Sequence, residues 1–395
     1  MRSAVIVDAV RTPVGRRNGA LSGWHSADLA SEVLMALASR NDLDPALVED
    51  VILGCVTQSG SQAVNLGRNA VLAAGWPESV PGTTVDRQCG SSQQAIHFAA
   101  QGVIAGAYDM VVAAGVEVMS TNPMGANLPP GTQPWGPRML ERYEPVGGLV
   151  PQGISAELIA QKWGLTREDL DAFGARSQQR AIAATEEDRF EREIVPVQSM
   201  KWDQEKGASI ALGEMVRRDE GLRPGTTSET LAKLKPAFLP EGVVTAGNSS
   251  QISDGAAGVL ITTEEVAERL NLRPRARIVS MALAGDDPIL MLTAPIPATA
   301  KVLDRSGLTI DDIDRFEMNE AFASVVLAWA AEHRPDMDKV NVNGGAIALG
   351  HPLGCSGARL MTTLLHELER VEGRYGLQVM CEGGGLSNAT IIERL

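Results

Sequence analysis

The chain has 395 residues, 44% of them hydrophobic, with 40 glycines and a formal net charge of −14. Such a length suits one large domain or two to three smaller ones, with a sizeable core and many tight turns. The acidic balance argues against a general nucleic-acid or anionic-membrane binder, while leaving room for a local basic pocket.

The first predicted element is a strand at Ala4-Val5-Ile6-Val7, without the long apolar core of a secretory leader. Four cysteines in so long a chain point to a reducing compartment. No apolar run reaches membrane-spanning length, and the C-terminal residues carry no lipidation or peroxisomal signal. The expectation is a soluble cytoplasmic protein.

A helix follows, with Ser26 as its expected cap and Leu29, Val33, Ala36 and Leu37 on one face. Further strands are expected at Val51–Gly54, Thr83–Val85 and Met110–Ala114, and their alternation with helices favours an α/β protein. From about Ser120 to Ala246 proline, glycine and charge increase. Helices are expected there around Gly153–Trp163 and Arg167–Ala184, as in an insertion that supplies substrate contacts.

The last third echoes the first. Ala276-Arg277-Ile278-Val279 resembles the opening strand, and Ile310–Asp314 leads into a strand as Asp44–Asp50 does. Cys89-Gly90-Ser91-Ser92 and Cys355-Ser356-Gly357 each open a helix, which pairs Cys355 with Cys89. A strand running into a glycine turn follows in each half, at Val111–Gly115 and Gln378–Cys381. The pattern is that of a duplicated α/β unit.

Three turns carry chemistry. Cys89 precedes a helix whose N-terminus favours a thiolate and lowers the thiol pKa; a small buried structural cysteine is the competing reading. His351 sits between Gly350 and Pro352, placed to take a thiol proton or donate to a thioester oxygen. His25, His97, His333 and His366 lack that setting and read as core or surface residues. Cys381, before Gly383-Gly384-Gly385, could be a second acid–base group, with the Gly383 N–H offered to an oxyanion; a buried strand-end thiol is the alternative. No Cys-x-x-Cys pair suggests zinc and no Gly-x-Gly-x-x-Gly follows the first strand, so neither metal nor a dinucleotide is expected.

These motifs, with Asp8–Pro13, Gly115–Ser120, Ala246–Ala256, Asn319-Glu320-Ala321-Phe322, Gly350–Gly354 and Cys381–Gly385, span the chain and resemble the thiolases. The resemblance implies a five-layered α-β-α-β-α fold. One half would be 1–119 plus 247–272, the other 273–395, with a loop domain inserted at 120–246. It implies Cys89 as the acyl-carrying nucleophile and His351 as its activator in an oxyanion hole. Asn319 would position a water there, Cys381 would move the α-carbon proton, and the Cys89 and Gly383 N–H groups would form a second hole. Read alone, Asn319 is simply a strand-end hydrogen-bonding residue.

Coenzyme A is the implied co-substrate, with no tightly bound cofactor. Arg223 matches a position near its nucleotide, Ser250 one near the pantetheine and Met291 a pocket position. A surface arginine, a turn serine and a core methionine are the ordinary readings of those residues. A dimer or tetramer is also implied. Pro151-Gln152 stands where short-chain biosynthetic thiolases place His-Met, and Met291–Ala294 replaces a glycine-containing pattern. Both departures favour cleavage of 3-ketoacyl-CoA over acetoacetyl-CoA synthesis, with some loop similarity to thiolases acting on steroid side chains. A thiolase-like lipid-binding protein without catalysis would be expected to lack a catalytic residue, and all are present.

Overall fold

The computed structural model describes residues 2–203 and 205–395. Its first half runs β1 (Val5–Arg11), β2 (Gly15–Arg16), α1 (Ser26–Arg40), β3 (Asp50–Gly54), α2 (Leu66–Ala73), β4 (Gly82–Val85), α3 (Ser91–Ala105) and β5 (Met110–Val118). A long excursion carries α4 (Pro137–Tyr143), α5 (Gln152–Lys162), α6 (Arg167–Glu186), β6 (Val197–Asp203), β7 (Ala208–Val216) and α7 (Ser228–Leu231). The chain returns through β8 (Ser253–Thr262) and α8 (Glu264–Arg269). The last part runs β9 (Ala276–Gly285), α9 (Pro295–Ser306), β10 (Arg315–Met318), α10 (Ala323–His333), α11 (Ala346–Leu349), α12 (Ser356–Arg370), β11 (Tyr375–Glu382) and β12 (Leu386–Arg394).

All strands except β6 and β7 join one ten-stranded sheet in the order β10-β11-β12-β9-β1-β8-β5-β3-β4, with β2 pairing β8. The duplication is written in its register. β3 lies parallel to β5, which is antiparallel to β8, which is antiparallel to β1. Likewise β10 lies parallel to β11, which is antiparallel to β12, which is antiparallel to β9. The halves meet where Val5 and Ile6 pair with Arg277 and Ala276. Where the first half adds β4 beside β3, the second keeps a single bridge from Phe316 to Val340.

Three apolar cores separate five layers. One packs α1 and α2 against the first half's strands through Leu29, Val33, Val71, Val112 and Leu260. The middle core holds α3 and α12 between the two halves through Ile96, Ala99, Met361, Val111 and Ile392. The third covers the second half with α9 and α10 through Val302, Trp329, Leu377 and Val379. Lying in the middle layer, α12 is buried continuously from Ser356 to Leu368, as a helix with protein on all sides must be. Strands β5 and β8 are buried at every position, which explains their Val/Ala/Gly runs.

Some local expectations need correction. His25, not Ser26, caps α1, its Nδ1 accepting from the Ala27 N–H; Ser26 is already helical. On that helix Ala36 is only half-buried, and Leu34 joins the core instead. Gly115 lies inside β5 rather than in a turn, because its missing Cβ leaves room for the Gly354 carbonyl, 2.2 Å from where a Cβ would stand. The β6–β7 hairpin had no expectation in the sequence. Its first strand, Val197–Asp203, mixes buried and exposed positions, and the second is largely exposed.

The excursion is tied back by a buried ionic knot. Arg11 on β1 donates from Nε to Glu193 at 2.6 Å and from Nη1 and Nη2 to Asp219 at 2.7 and 3.0 Å, below the Phe190 ring. Asp219 also accepts from the Val14 N–H at 2.7 Å, so the knot ties the segments on either side of the β6–β7 hairpin to the end of β1 and the loop after it. Removing one partner of such a buried set typically costs about 3–5 kcal/mol, because the other charge is left desolvated.

Candidate active site

The Cys89 turn bridges β4 and α3 in five residues. Gln88 adopts a left-handed φ of +48°, uncommon outside glycine. The turn is held by Asp86, which accepts from the Gln88 N–H at 2.7 Å, and by Ser91. The Ser91 hydroxyl accepts from the Arg87 N–H at 2.9 Å and donates to the Gln88 carbonyl at 2.6 Å. Cys89 is left 5% exposed, beside Met119, Leu353, Leu360 and Met380.

Here the electrostatic expectation fails. Burial is the largest influence on the Cys89 thiol and pushes its pKa up, with Cys381 and Glu382 adding to the rise; the Gly383 and Cys89 N–H groups only partly offset it. Desolvation of an anion outweighs the pull of a helix terminus two residues away. The resting sulfur is therefore a protonated thiol that needs a base.

Asn319, His351 and Cys381 form one hydrogen-bonded group. Asn319 Nδ2 lies 3.4 Å from Cys381 Sγ and 3.5 Å from His351 Nε2. On the other side of the ring, His351 Nδ1 meets Ser356 Oγ at 2.6 Å, and that hydroxyl donates to the Pro352 carbonyl at 2.8 Å. With its one proton so committed, Ser356 accepts from Nδ1–H, which leaves the Nε2 lone pair facing the site. Burial, then the nearby Arg359, lowers the His351 pKa to about 3, so the ring is neutral. Burial pushes Cys381 up to about 11 against the pull of the Asn319 amide. Asn319 Oδ1 is buried without a partner. No hydrogen bond links Cys89 to His351.

Buried carboxylates hold these segments in place. Glu320, next to Asn319, accepts from Ser177, Asn341 and the Ile347 N–H, tying the end of β10 to the loop that leads to His351. Glu117 accepts from the Val56, Thr57 and Gly354 N–H groups, pinning the His351 turn to the first half. Sequence reading missed Ser356, Glu117 and Glu320. Ser356 had a usable signal: it follows His351 by five residues and begins a helix.

The Cys355 assignment also changes. Ser91 and Ser356 both stand first in their helices, and each donates to a carbonyl of the preceding turn. Aligning them places Gly354 opposite Cys89 and Cys355 opposite Gly90. One residue of register separates the two cysteines that the sequence pairs.

Arg223 is exposed and borders a cavity of about 100 Å³ with Gln178, Thr226, Leu231, Gly247 and Gln251. Its Nη2 donates to Gln251 Oε1 at 3.3 Å. Ser250 is half-buried beside the Asn-Glu-Ala-Phe segment, its N–H donating to the Ala321 carbonyl at 2.9 Å. Met291 is half-buried against the second half's core, with φ +55°, and does not line that cavity. A Cβ on Gly383 would come within 3.3 Å of Gln88 Oε1 and 3.4 Å of Gln152 Nε2, so two amides pack on the side where a side chain would stand. Among the described residues no His/Cys/Asp/Glu group could hold a metal ion, and no helix is long and apolar enough to cross a membrane.

Comparison with known proteins accounts for this arrangement. The thiolase N-terminal domain model matches residues 4–265 and the thiolase C-terminal domain model matches 272–394. A steroid 3-ketoacyl-CoA thiolase of Mycobacterium tuberculosis is 50% identical, covering 100% of this chain and 95% of the relative. A 3-ketoacyl-CoA thiolase of Idiomarina loihiensis is 45% identical with full coverage of both. The solved acetyl-CoA acetyltransferase of Bacillus anthracis superposes with a TM-score of 0.89 at 38% identity, covering 100% of this chain and 99% of that one. Matched in both halves and aligned from end to end with these relatives, the chain belongs to the thiolase family.

Proposed function

We propose that the protein cleaves 3-ketoacyl-CoA with coenzyme A, giving acetyl-CoA and a shortened acyl-CoA. The observation that carries the reading is the Asn319 amide held between His351 Nε2 and Cys381 Sγ, with the Gly383 N–H facing the Cys89 sulfur. His351 Nε2 takes the Cys89 proton and the sulfur adds to the 3-keto carbon. The C2–C3 bond then breaks, its electron pair leaving as the enolate of acetyl-CoA, and the Cys381 S–H protonates C2. Cys89 now carries the shortened acyl group as a thioester. Coenzyme A gives its thiol proton to the Cys381 thiolate and attacks that thioester; Cys89 leaves and recovers its proton from His351.

The two thiols suit this sequence because both stay protonated until a partner acts: Cys89 needs His351, and Cys381 is loaded to donate. The Cys89 and Gly383 N–H groups are read as stabilising the tetrahedral oxygen, and His351 with an Asn319-held water as stabilising the enolate. One such donor is typically worth roughly a hundred- to thousandfold in rate.

The excursion at 120–246 is read as a loop domain holding coenzyme A between the halves 1–119 plus 247–272 and 273–395. Arg223 would meet the nucleotide, Ser250 the pantetheine, and Met291 the acyl pocket. The half-exposed edge strand β4 supports a dimer that pairs two such edges. Four free cysteines fit the reducing cytoplasm.

The test mixes protein and coenzyme A with 3-ketoacyl-CoAs of graded length, one bearing a steroid ring because of the 50% identical relative. Acetyl-CoA release is expected, and its profile across substrates assigns the acyl class. No acetyl-CoA from any substrate overturns the reading. If only acetoacetyl-CoA is cleaved, the biosynthetic alternative replaces it.

A further inference from the structure

The carboxyl group next in the chain to Cys381 has no place in the mechanism above, yet it is built into the site. Along β11 successive side chains point to opposite faces, so Cys381 joins the second half's core while Glu382 turns toward the start of α3. There Gly90, the residue after Cys89, lies against it: a Cβ on Gly90 would stand 2.0 Å from Glu382 Oε1 and 2.9 Å from Asn388 Oδ1. Only glycine leaves room for that carboxyl. Asn388 Nδ2 donates to the Gly90 carbonyl at 3.0 Å and closes the packing from β12.

The surroundings of that carboxyl are tightly packed and polar. The Asn388 N–H is the one backbone donor near the Glu382 carboxyl; the carboxyl oxygens, Arg87 Nε and Asn388 Oδ1 are buried and make no hydrogen bond of good geometry. Native interiors rarely leave such groups unpaired, and clusters of them mark functional positions. The charged and titratable groups around Glu382 are Arg87 and Asp86 from the turn, with the thiols of Cys89 and Cys381. Arg87 forms no ion pair with it.

We propose that Glu382 is a positioning residue for both reactive sulfurs: its carboxyl, wedged beneath the Cys89 turn and adjacent to Cys381, sets the ionisation of the two thiols together. The assignment rests on the thiolase reading of those cysteines. Burial pushes the Glu382 carboxyl up to about 8 against the pull of Arg87. Near neutrality it is largely an uncharged acid. As the pH rises past that value it becomes an anion beside both sulfurs and opposes a second negative charge on either. Above that value this adds to the burial that already keeps Cys381 a proton donor and Cys89 a thiol in the absence of His351.

The experiment is the pH dependence of alkylation at Cys89 and Cys381, followed by peptide mass on the whole protein. It reads sulfur chemistry and needs no turnover, so it can fail or succeed independently of the thiolysis assay. Glu382→Gln is expected to alkylate like the wild type near pH 7. Above pH 8 it should be faster, by about tenfold for each pKa unit by which the thiol falls. Glu382→Asp should restore the wild-type curve. A loosened fold would instead speed alkylation at every pH. Parallel curves for wild type and Glu382→Gln overturn the proposal. Should Glu382→Gln not fold, Arg87→Met keeps the question open to test. Without the guanidinium Glu382 stays neutral to higher pH, so the bend in the alkylation curve must move up, and an unmoved bend overturns the proposal.

Discussion

Ser356 Oγ lies 2.6 Å from His351 Nδ1 while donating its own proton to the Pro352 carbonyl. This pair decides which ring nitrogen can act as a base. Without the hydroxyl, nothing holds the proton on Nδ1, and the tautomer with Nε2–H, useless for activating Cys89, becomes accessible. Ser356→Ala is expected to lower kcat by up to roughly 100-fold, the low end of what a general base contributes. Ser356→Thr should retain more of it. Steady-state thiolysis over a range of pH checks this, and unchanged kcat in the alanine variant removes the role.

Cys381 should separate two half-reactions. In Cys381→Ser a hydroxyl replaces a thiol held at about 11 and is a far weaker acid. Thiolysis is expected to fall by roughly 100- to 10,000-fold. Acyl transfer from acetyl-CoA to Cys89 needs no carbon acid, and the coenzyme A thiolate it releases can leave unprotonated and take its proton from water, so the acetyl-enzyme should still form, though more slowly. Intact mass reports the adduct, and deuterium exchange at the acetyl methyl reports the lost proton transfer.

The register of the repeat gives a contrast between neighbours. Gly354→Ala would place a Cβ 2.7 Å from the Cys55 Cα and the Gly54 carbonyl, and 2.8 Å from Glu117 Oε2. Overpacking of this kind costs about 1–3 kcal/mol. It should also reduce activity, because Glu117 holds the His351 turn through the Gly354 N–H. Cys355→Ala, one residue on, should cost about 1 kcal/mol and leave activity intact. Thermal melts and turnover together decide whether the glycine or the cysteine is the sensitive position.

His97 predicts an acid limb in stability. Its Nε2 meets Thr390 Oγ1 at 2.8 Å, and burial, then Arg87, lowers its pKa to about 3. The unfolded value is about 6.5. The folded pKa is the lower one, so its contribution is complete above about 6.5 and is lost as pH falls toward 3. His97→Gln should be less stable than wild type at neutral pH, with the deficit narrowing across that window. Chemical denaturation at several pH values checks it, and a constant deficit would show that the histidine does not titrate on unfolding.

Much of this protein was legible before folding because its signals are local. Glycine turns around Cys89, His351 and Cys381, the Asn319 motif and the echo between first and last thirds need only neighbouring residues to be read. The strands at Val51–Gly54 and Thr83–Val85 came within a residue of their observed bounds. Quantities that depend on distant surroundings were not legible. The Cys89 turn predicts an acidified thiol from its helix, yet burial among residues contributed by α12 and β11 reverses the sign. Pairing Cys355 with Cys89 follows identical letters, whereas the helix starts shift the match by one residue.

The sequence alone determined the family, the duplicated α/β plan and which residues are the candidates for the chemistry. All are recorded in short motifs and in side chains that carry their chemistry wherever they stand. Tertiary structure decided their state: which nitrogen of His351 is free, that both thiols rest protonated, and that Glu382 lies beneath Gly90. Each depends on desolvation and on hydrogen bonds between segments far apart in the chain, and those arise only when the two halves close around α3 and α12.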